Sequence, residues 1–402
     1  MNKRSIVFIA CVSIFAGFYY RFVFSPKISA ASSSVRLEVI LTPTPRVRPT
    51  STPSPTVSPL PTATPSLVPT ETPVITPTPG AALPIPLQSD WTPATLAFTH
   101  GALGEWDYYL WGGFANSLIK KDGVYYLYYQ GSNGYSEVCG DNTYRYIGVA
   151  TSTDGINWTK SPNNPVIAWA SRGTVTEGAV SSGAWLGVDG KIYLYYGANT
   201  AQNSCLIHAS GRVSVSSDGI HFTDSGEVLP WYSATTWGYG DEIFPLGVYV
   251  YQNSWNVFYT PNGTPQTRKL GVAIGNSFTS FPTSLSVNDG TVEAWGPVSA
   301  VLNGSTSILV TNPNTIDRPL NFYRFEAANP ATITFDTSYS LSDCFQASVI
   351  YEPEQGRYMM SCRDPLGSEY YSIKYAYVSQ SSANSSLWET IVNGFKELVN
   401  SN

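Results

Sequence analysis

The chain is 402 residues long, with 12% charged side chains and a formal net charge of −6. That balance excludes a basic nucleic-acid footprint and a solvating acidic tail, so no nucleic-acid partner is expected. The length accommodates one large domain with appendages or two domains, and the 14% aromatic content, with 27 Tyr and 11 Trp, has to be placed somewhere in it.

Lys3 and Arg4 precede an apolar run from Ile6 to Tyr20, and Ser29, Ala30 and Ala31 offer a cleavage site. Residues 1–31 therefore read as a signal peptide. The run is shorter than the roughly 20 residues that span a bilayer, but extended to Phe24 it reads as an uncleaved anchor. Both readings put the rest of the chain outside the cytoplasm, secreted or anchored at the cell surface, with membrane contact only through this segment. Residues 32–88 are Pro, Thr and Ser with little else, as in Thr42–Pro45, Thr52–Pro55 and Thr76–Pro79. Such a composition buries no core and favours an extended, disordered spacer, partly polyproline II.

From there the chain repeats itself. Val124–Gln130 is an aromatic and branched run entered through Asp122-Gly123, the signature of a strand after a tight turn. Asp189-Gly190 leads into Lys191–Tyr196 in the same way. Weaker copies are Asn253-Ser254 before Trp255–Tyr259, Asn303-Gly304 before Ser307–Val310, and Gln355-Gly356 before Arg357–Met360. Copies spaced by about 50 to 70 residues, each rich in strand residues, predict an all-β, five-bladed β-propeller of four-stranded antiparallel blades over 89–380. In the first repeat the strands are Phe114–Lys120, Val124–Gln130, Arg145–Thr151 and a short one after the turn Ser152–Trp158. The third strands of the later repeats are read at Gly211–Ser216, Lys269–Ile274, Leu320–Phe325 and Tyr371–Tyr377. Beyond them Leu387, Ile391, Phe395 and Leu398 recur at helical spacing behind a capping box, Ser386 to Glu389, predicting a short helix within 381–402 that packs on the propeller.

Of five cysteines, Cys11 lies in the leader. The other four suit two disulfides, with three connectivities open. Cys139 and Cys205 occupy equivalent loops of neighbouring repeats, and Cys344 and Cys362 flank one hairpin, which favours pairing them in that way. Metal binding lacks its Cys and His spacing, and His100, His208 and His221 are scattered.

In a propeller the first strand of each blade lines the central channel. The acids Asp107, Glu177, Glu242, Glu293 and Asp343 each precede such a strand by a similar interval, and register gathers them at one mouth. Crowded carboxylates split their pKa values, supplying an acid and a base for glycosidic cleavage. Glu242, beside Asp241 and ahead of Ile243, Phe244 and Pro245, is the candidate acid; Glu293 and Asp343 are candidate binding residues. The alternative role of these acids is to satisfy backbone donors at strand starts or to hold a cation. Trp106, Trp111, Trp237, Tyr239 and Trp295 lie beside the acids in sequence as candidate sugar platforms, with blade packing as their other role.

The repeat and the strand-turn pattern Gly148–Trp158 resemble the five-bladed β-propeller glycosidases, the superfamily of glycoside hydrolase families 43 and 32. The resemblance covers about 95–380. It implies a family 43-like assignment, with Asp107 as general base, Glu177 positioning the acid and tuning its pKa, and Glu242 as general acid. It also implies an inverting mechanism, a carbohydrate substrate and no required cofactor; a structural cation in the channel is known among relatives. Glu177 departs from the usual Asp, and Asp107 is followed by a long insertion, Tyr108 to Gly113. The family 32 signature is absent around Glu105-Trp106-Asp107, and Arg363-Asp364-Pro365 falls in the wrong blade, which ranks a fructosidase below a family 43-like activity. Ser152–Trp158 resembles the sialidase Asp-box but is one residue short, and reads as a structural turn. A monomer is expected. The rival from another class is a non-catalytic carbohydrate-binding propeller. A phosphorylase ranks last, because few Arg or Lys lie near the acids in sequence.

Overall fold

The computed structural model describes residues 82–110, 116–133, 145–168, 170–172, 175–202, 205–231, 242–262, 268–303, 306–313, 319–364 and 369–378, with backbone alone for 170–172, 175–178, 181, 199–202, 205–208 and 262. The leader, most of the spacer and the helix expected over 381–402 lie outside the described residues.

Strands make up nearly all of the secondary structure. A lone first strand, β1 (Thr95–Thr99), precedes a sheet of β2 (Asn116–Lys121), β3 (Val124–Ser132), β4 (Arg145–Ser152) and β5 (Thr159–Lys160). Next come β6 (Ala170–Arg172), β7 (Val175–Leu186), β8 (Ile192–Gln202), β9 (Cys205–Ser216) and β10 (Thr223–Leu229), then β11 (Glu242–Tyr251), β12 (Ser254–Asn262), β13 (Gly271–Gly275) and β14 (Thr283–Ser286). These two groups are antiparallel within themselves and are joined into a nine-stranded sheet by one parallel pair, Glu242 with Ala209. A four-stranded sheet follows, β15 (Ser299–Val301), β16 (Thr306–Thr311), β17 (Leu320–Glu326) and β18 (Ile333–Tyr339). The last sheet holds β19 (Phe345–Glu352), β20 (Arg357–Arg363) and β21 (Tyr370–Tyr377), and its fourth strand is β1 from the start of the domain. Among the described residues helix is confined to two short 3-10 turns, Gln88–Asp90 and Val287–Gly290.

The hairpins follow from their turn residues. Asp122 and Gly123 both have positive φ, 49° and 77°, the pair that a two-residue turn matched to strand twist requires. Gln252 and Asn253 do the same between β11 and β12, at 47° and 66°. That turn lies one residue before the expected Asn253-Ser254. Most strand boundaries agree with the sequence reading to within a few residues, except that β8 runs on past Tyr196 to Gln202 and β9 begins at Cys205, ahead of Gly211.

The first strands of the sheets meet in a closed cycle: β2 touches β7, β7 touches β11, β11 touches β15, β15 touches β19, and β19 touches β2. Three joints use the same device. Ser117 Oγ on β2 accepts from Ala184 N on β7 (2.8 Å), Ser348 Oγ on β19 from Leu118 N on β2 (3.1 Å), and Ser299 Oγ on β15 from Val349 N on β19 (2.9 Å). The other two bring backbones together. A Cβ on Gly183 would stand 2.8 Å from Gly247 Cα, and one on Gly247 would stand 2.0 Å from Val298 O, where Val298 N donates to Leu246 O at 2.9 Å. Matching positions along each strand set all five running the same way, so their starts gather at one end of the cycle, here called the mouth.

Between sheets the core is largely tyrosine: Tyr128, Tyr129, Tyr195, Tyr249, Tyr259, Tyr358 and Tyr371 are fully buried. A buried phenol needs a partner, and several reach the far turn of the next sheet. Tyr128 donates to Gly219 O (3.0 Å), Tyr195 to Phe278 O (2.8 Å), Tyr249 to Ala327 O (2.9 Å) and Tyr375 to Gly155 O (2.8 Å). Gly155 belongs to the turn Ser152–Trp158, in which Asp154 Oδ1 accepts from Ile156 N and Asn157 N, both at 2.8 Å. Asp218 holds the equivalent turn and takes His221 as its side-chain partner at 2.7 Å. The turn-type role read from sequence is thus the observed one. Much of the aromatic content is core.

Candidate active site

The mouth is built where the inner strands begin, and two asparagines seal it between sheets. Asn312, just beyond β16, accepts from Ala347 N and donates to Ala347 O, both at 2.9 Å, and to Pro297 O at 2.6 Å. Asn116, the first residue of β2, donates to Gln346 O (2.8 Å) and Ser361 O (2.9 Å) and accepts from Ser361 Oγ (2.6 Å). At the matching seam between β3 and β7 stand Gln130 and Ser182, whose buried Oε1 and Oγ have no hydrogen-bond partner among the described residues. Sequence reasoning missed all four; the only signal was the place of Asn116 at a strand start, which says nothing of partners.

Glu242 is the first residue of β11, half-buried, paired across to Asn262 and to Ala209 at the one parallel joint. Glu177 lies on β7, paired with Thr200 one row from Asn199, which pairs Ala209. Counted from the close approach of Gly183 and Gly247, both glutamates stand five or six residues toward the mouth, at equivalent height. By hydrogen-bonded strand order β8 and β9 stand between them, while β7 and β11 also touch directly. The side chains of Glu177 and Cys205, and Trp111, Trp237, Tyr239 and Cys139 altogether, lie outside the described residues.

Asp107 is elsewhere. It is 3% exposed under the loop between β1 and β2, with Oδ2 held by Lys160 Nζ of β5 at 2.6 Å and by the Tyr129 hydroxyl at 3.3 Å. Lys160 in turn lies over the rings of Phe98 (5.7 Å) and Tyr129 (6.0 Å), so the pair fills the wedge between the first and last sheets. Burial, reinforced by the Asp107 charge, pushes the Tyr129 phenol far above its usual range. Its carboxylate is an ion-pair member packed between β3 and β5. Trp106 beside it lies flat on glycine backbone, since a Cβ on Gly148 would meet its ring at 2.3 Å and one on Gly131 at 2.6 Å. Packing is therefore the role its observed contacts define.

Two more acids have lysine partners. Glu293 meets Lys269 at 2.8 Å, half-exposed on both sides. Asp343 meets Lys374 of β21 at 2.7 Å and accepts from Ala94 N at 3.1 Å. Burial opposes the charge on Asp343, but Lys374 and the Ala94 amide outweigh it and hold the carboxyl below its usual value. These partners come from β21 and the Ala94 segment, the outer part of the last sheet. The lysines absent from the neighbourhood in sequence are supplied by folding.

Trp295 stands before β15 with its ring edge-on to Phe244 (6.4 Å), two residues along β11 from Glu242, and with the Arg268 guanidinium 5.1 Å from its centre. Cys344 and Cys362 form the expected disulfide. Among the described residues no group of three or more His, Cys, Asp or Glu is placed to hold a metal ion.

Residues 111–235 match the family described as glycosyl hydrolases family 32 N-terminal domain. Family 32 is thus the matching family, where the sequence reading had ranked family 43 above it. No curated protein matches the chain. Among solved structures, exo-inulinase from Aspergillus awamori shares 16% identity and a TM-score of 0.48, over 70% of this chain and 62% of that one. A family 117 glycoside hydrolase produced by the marine bacterium Zobellia galactanivorans shares 16% and 0.49, over 71% and 89%. A thermostable family-43 glycoside hydrolase shares 12% and 0.48, over 67% and 91%. The chain spans less than two thirds of the exo-inulinase. The stretch matched by the family 32 domain contains the two strongest repeats and the pattern Gly148–Trp158, so the resemblance to the five-bladed β-propeller glycosidases read from the sequence stands.

Proposed function

We propose that this protein is an exported five-bladed β-propeller glycosidase, acting on a polysaccharide or oligosaccharide by carboxylate acid/base catalysis. The observation that carries the reading is the family 32 match across 111–235; the cycle of five inner strands supports the blade count. Glu242 is the acid that protonates the leaving oxygen. With Asp107 taken up by Lys160, the second carboxylate is Glu177. The mechanism we adopt is inversion, which uses carboxyl groups about 6.5–9.5 Å apart, where retention uses about 5–5.5 Å. The apolar leader and Pro/Thr spacer support an extracytoplasmic site of action.

The test is reducing-sugar release by the purified chain from arabinan, xylan, fructan and mannan, with Glu242→Gln and Glu177→Gln alongside. Release by wild type that both variants lose, with the product anomer inverted by NMR, is the expected result. One observation favours a second reading, a carbohydrate-binding propeller without hydrolysis: Asp107, Glu293 and Asp343 are each held by a lysine. Binding without release, unchanged in Glu242→Gln, would establish that reading instead.

A further inference from the structure

We propose that Arg268 and Trp295 form an acidic-sugar subsite beside Glu242, recognising the carboxylate of a uronic acid residue; this rests on the carbohydrate reading above. Arg268 is exposed and its guanidinium lies 5.1 Å from the centre of the Trp295 ring. It makes no salt bridge among the described residues, although the protein carries net negative charge. The nearest carboxylate in sequence on the facing segment, Glu293, is already neutralised by Lys269 at 2.8 Å. Among the described residues Arg268 thus has no ion-pair partner of its own.

Backbone bonds fix where the pair stands. Ala294 N donates to Arg268 O at 2.9 Å, and Lys269 bridges to Glu293. Trp295 N and Gly296 N both donate to Asn312 O, at 2.8 and 3.1 Å. Phe244, which Trp295 meets edge-on, is two residues from Glu242 on the same face of β11. The subsite is thus adjacent to the candidate acid.

A guanidinium near an aromatic ring keeps its in-plane N–H fork, and that planar fork matches the two oxygens of a carboxylate. The aromatic ring beside it offers an apolar edge for the sugar that carries the acid. A neutral sugar offers the fork only single, uncharged hydroxyl acceptors.

The experiment measures binding to the full chain, by calorimetry, of galacturonate, glucuronate, mannuronate and guluronate oligosaccharides, each against its methyl ester, which keeps the sugar and removes the charge. At least one acid form is expected to bind about five- to tenfold tighter than its ester. Arg268→Gln should erase that preference, Arg268→Lys should keep part of it, and added salt should weaken it. Equal binding of every acid and ester, no binding of any, or a preference that survives Arg268→Gln would overturn the proposal. So would inorganic phosphate competing as well as the uronate, which would make the fork a general oxyanion site. Because the readout is binding, it is made in the Glu242→Gln background as well. Lost hydrolysis with the charge preference intact separates the acid from the subsite, and hydrolysis of neutral substrates without any charge preference sinks only the subsite.

Discussion

Lys160 Nζ and Asp107 Oδ2 lie 2.6 Å apart in the wedge between the first and last sheets, although 53 residues separate them in sequence. The side chains are 27% and 4% exposed, so removing one partner leaves a largely desolvated charge without its counterion. Asp107→Asn should destabilise the fold by about 1–3 kcal/mol, below the roughly 3–5 kcal/mol of a fully buried pair because Lys160 retains some solvent. Urea unfolding measures it. Activity per folded molecule should stay near wild type, and a variant that folds normally but releases no sugar would restore Asp107 to the catalytic set.

Gly247 is the tightest joint of the inner cycle, because an added methyl would stand 2.0 Å from Val298 O and the obstacle is backbone. Gly247→Ala is expected to lose about 3 kcal/mol or more, at the upper end of overpacking. Gly187→Ala is the comparison: its nearest obstacles are side chains rather than backbone, the Asp189 carboxylate at 2.5 Å and the Tyr193 ring at 2.7 Å. Thermal unfolding of the two should differ clearly; equal midpoints would mean that the cycle can shift to admit the methyl.

Glu352, buried at the opposite end from the mouth, accepts from Lys120 Nζ and Arg357 Nε, each at 2.7 Å, and from the Tyr125 hydroxyl. Burial would raise its carboxyl, but these hydrogen bonds outweigh it and hold the value below the usual 4.5. A depressed carboxylate contributes stability that is present above its unfolded pKa and disappears as pH falls through the folded one. Stability measured by denaturant titration should therefore fall below about pH 4.5, and Glu352→Gln, less stable at neutral pH, should show a flatter acid limb. A variant with the same acid slope as wild type would assign that limb to other groups, Asp343 first among them.

Cys344 and Cys362 close a loop of 18 residues in sequence. Loops of that length stabilise by about 3 kcal/mol through the unfolded chain. Cys362→Ser with Cys344→Ser should lower the unfolding free energy by about that amount in an assay without reductant. The difference should vanish when wild type is unfolded in excess reductant.

The hairpins were legible because their chemistry is local. Asp122-Gly123 writes a positive-φ turn directly into sequence, and the aromatic run after it can only be a strand. Where the turn signal was weak, as at Gln252-Asn253, the reading slipped by one residue. The acids were a different problem. Their intervals from the turns looked alike, but Asp107 and Asp343 approach their sheets along loops that lead them to Lys160 and Lys374 on outer strands. Ion pairs between distant segments are set by how sheets pack, and no spacing rule contains that. The tyrosines show the same limit: Tyr249 reads as a strand residue, but nothing near it reveals that its hydroxyl belongs to Ala327.

The pairing of β1 with β21 has a consequence for the order of events in folding. Tyr375 N donates to the hydroxyl of Thr92 across a sequence separation of 283 residues, and Thr92 N returns a bond to Tyr375 O. During synthesis, or threading through a membrane from the N-terminus, the strand that finishes the last sheet emerges first and waits for nearly the whole domain. Until then β21 has no neighbour on one side, and that unpaired edge is a template for other chains. Contacts of such long range make folding slow, because chain entropy is lost before they form. The vulnerable interval should therefore lie at the end of folding, when the other three sheets are built and the ring has yet to shut.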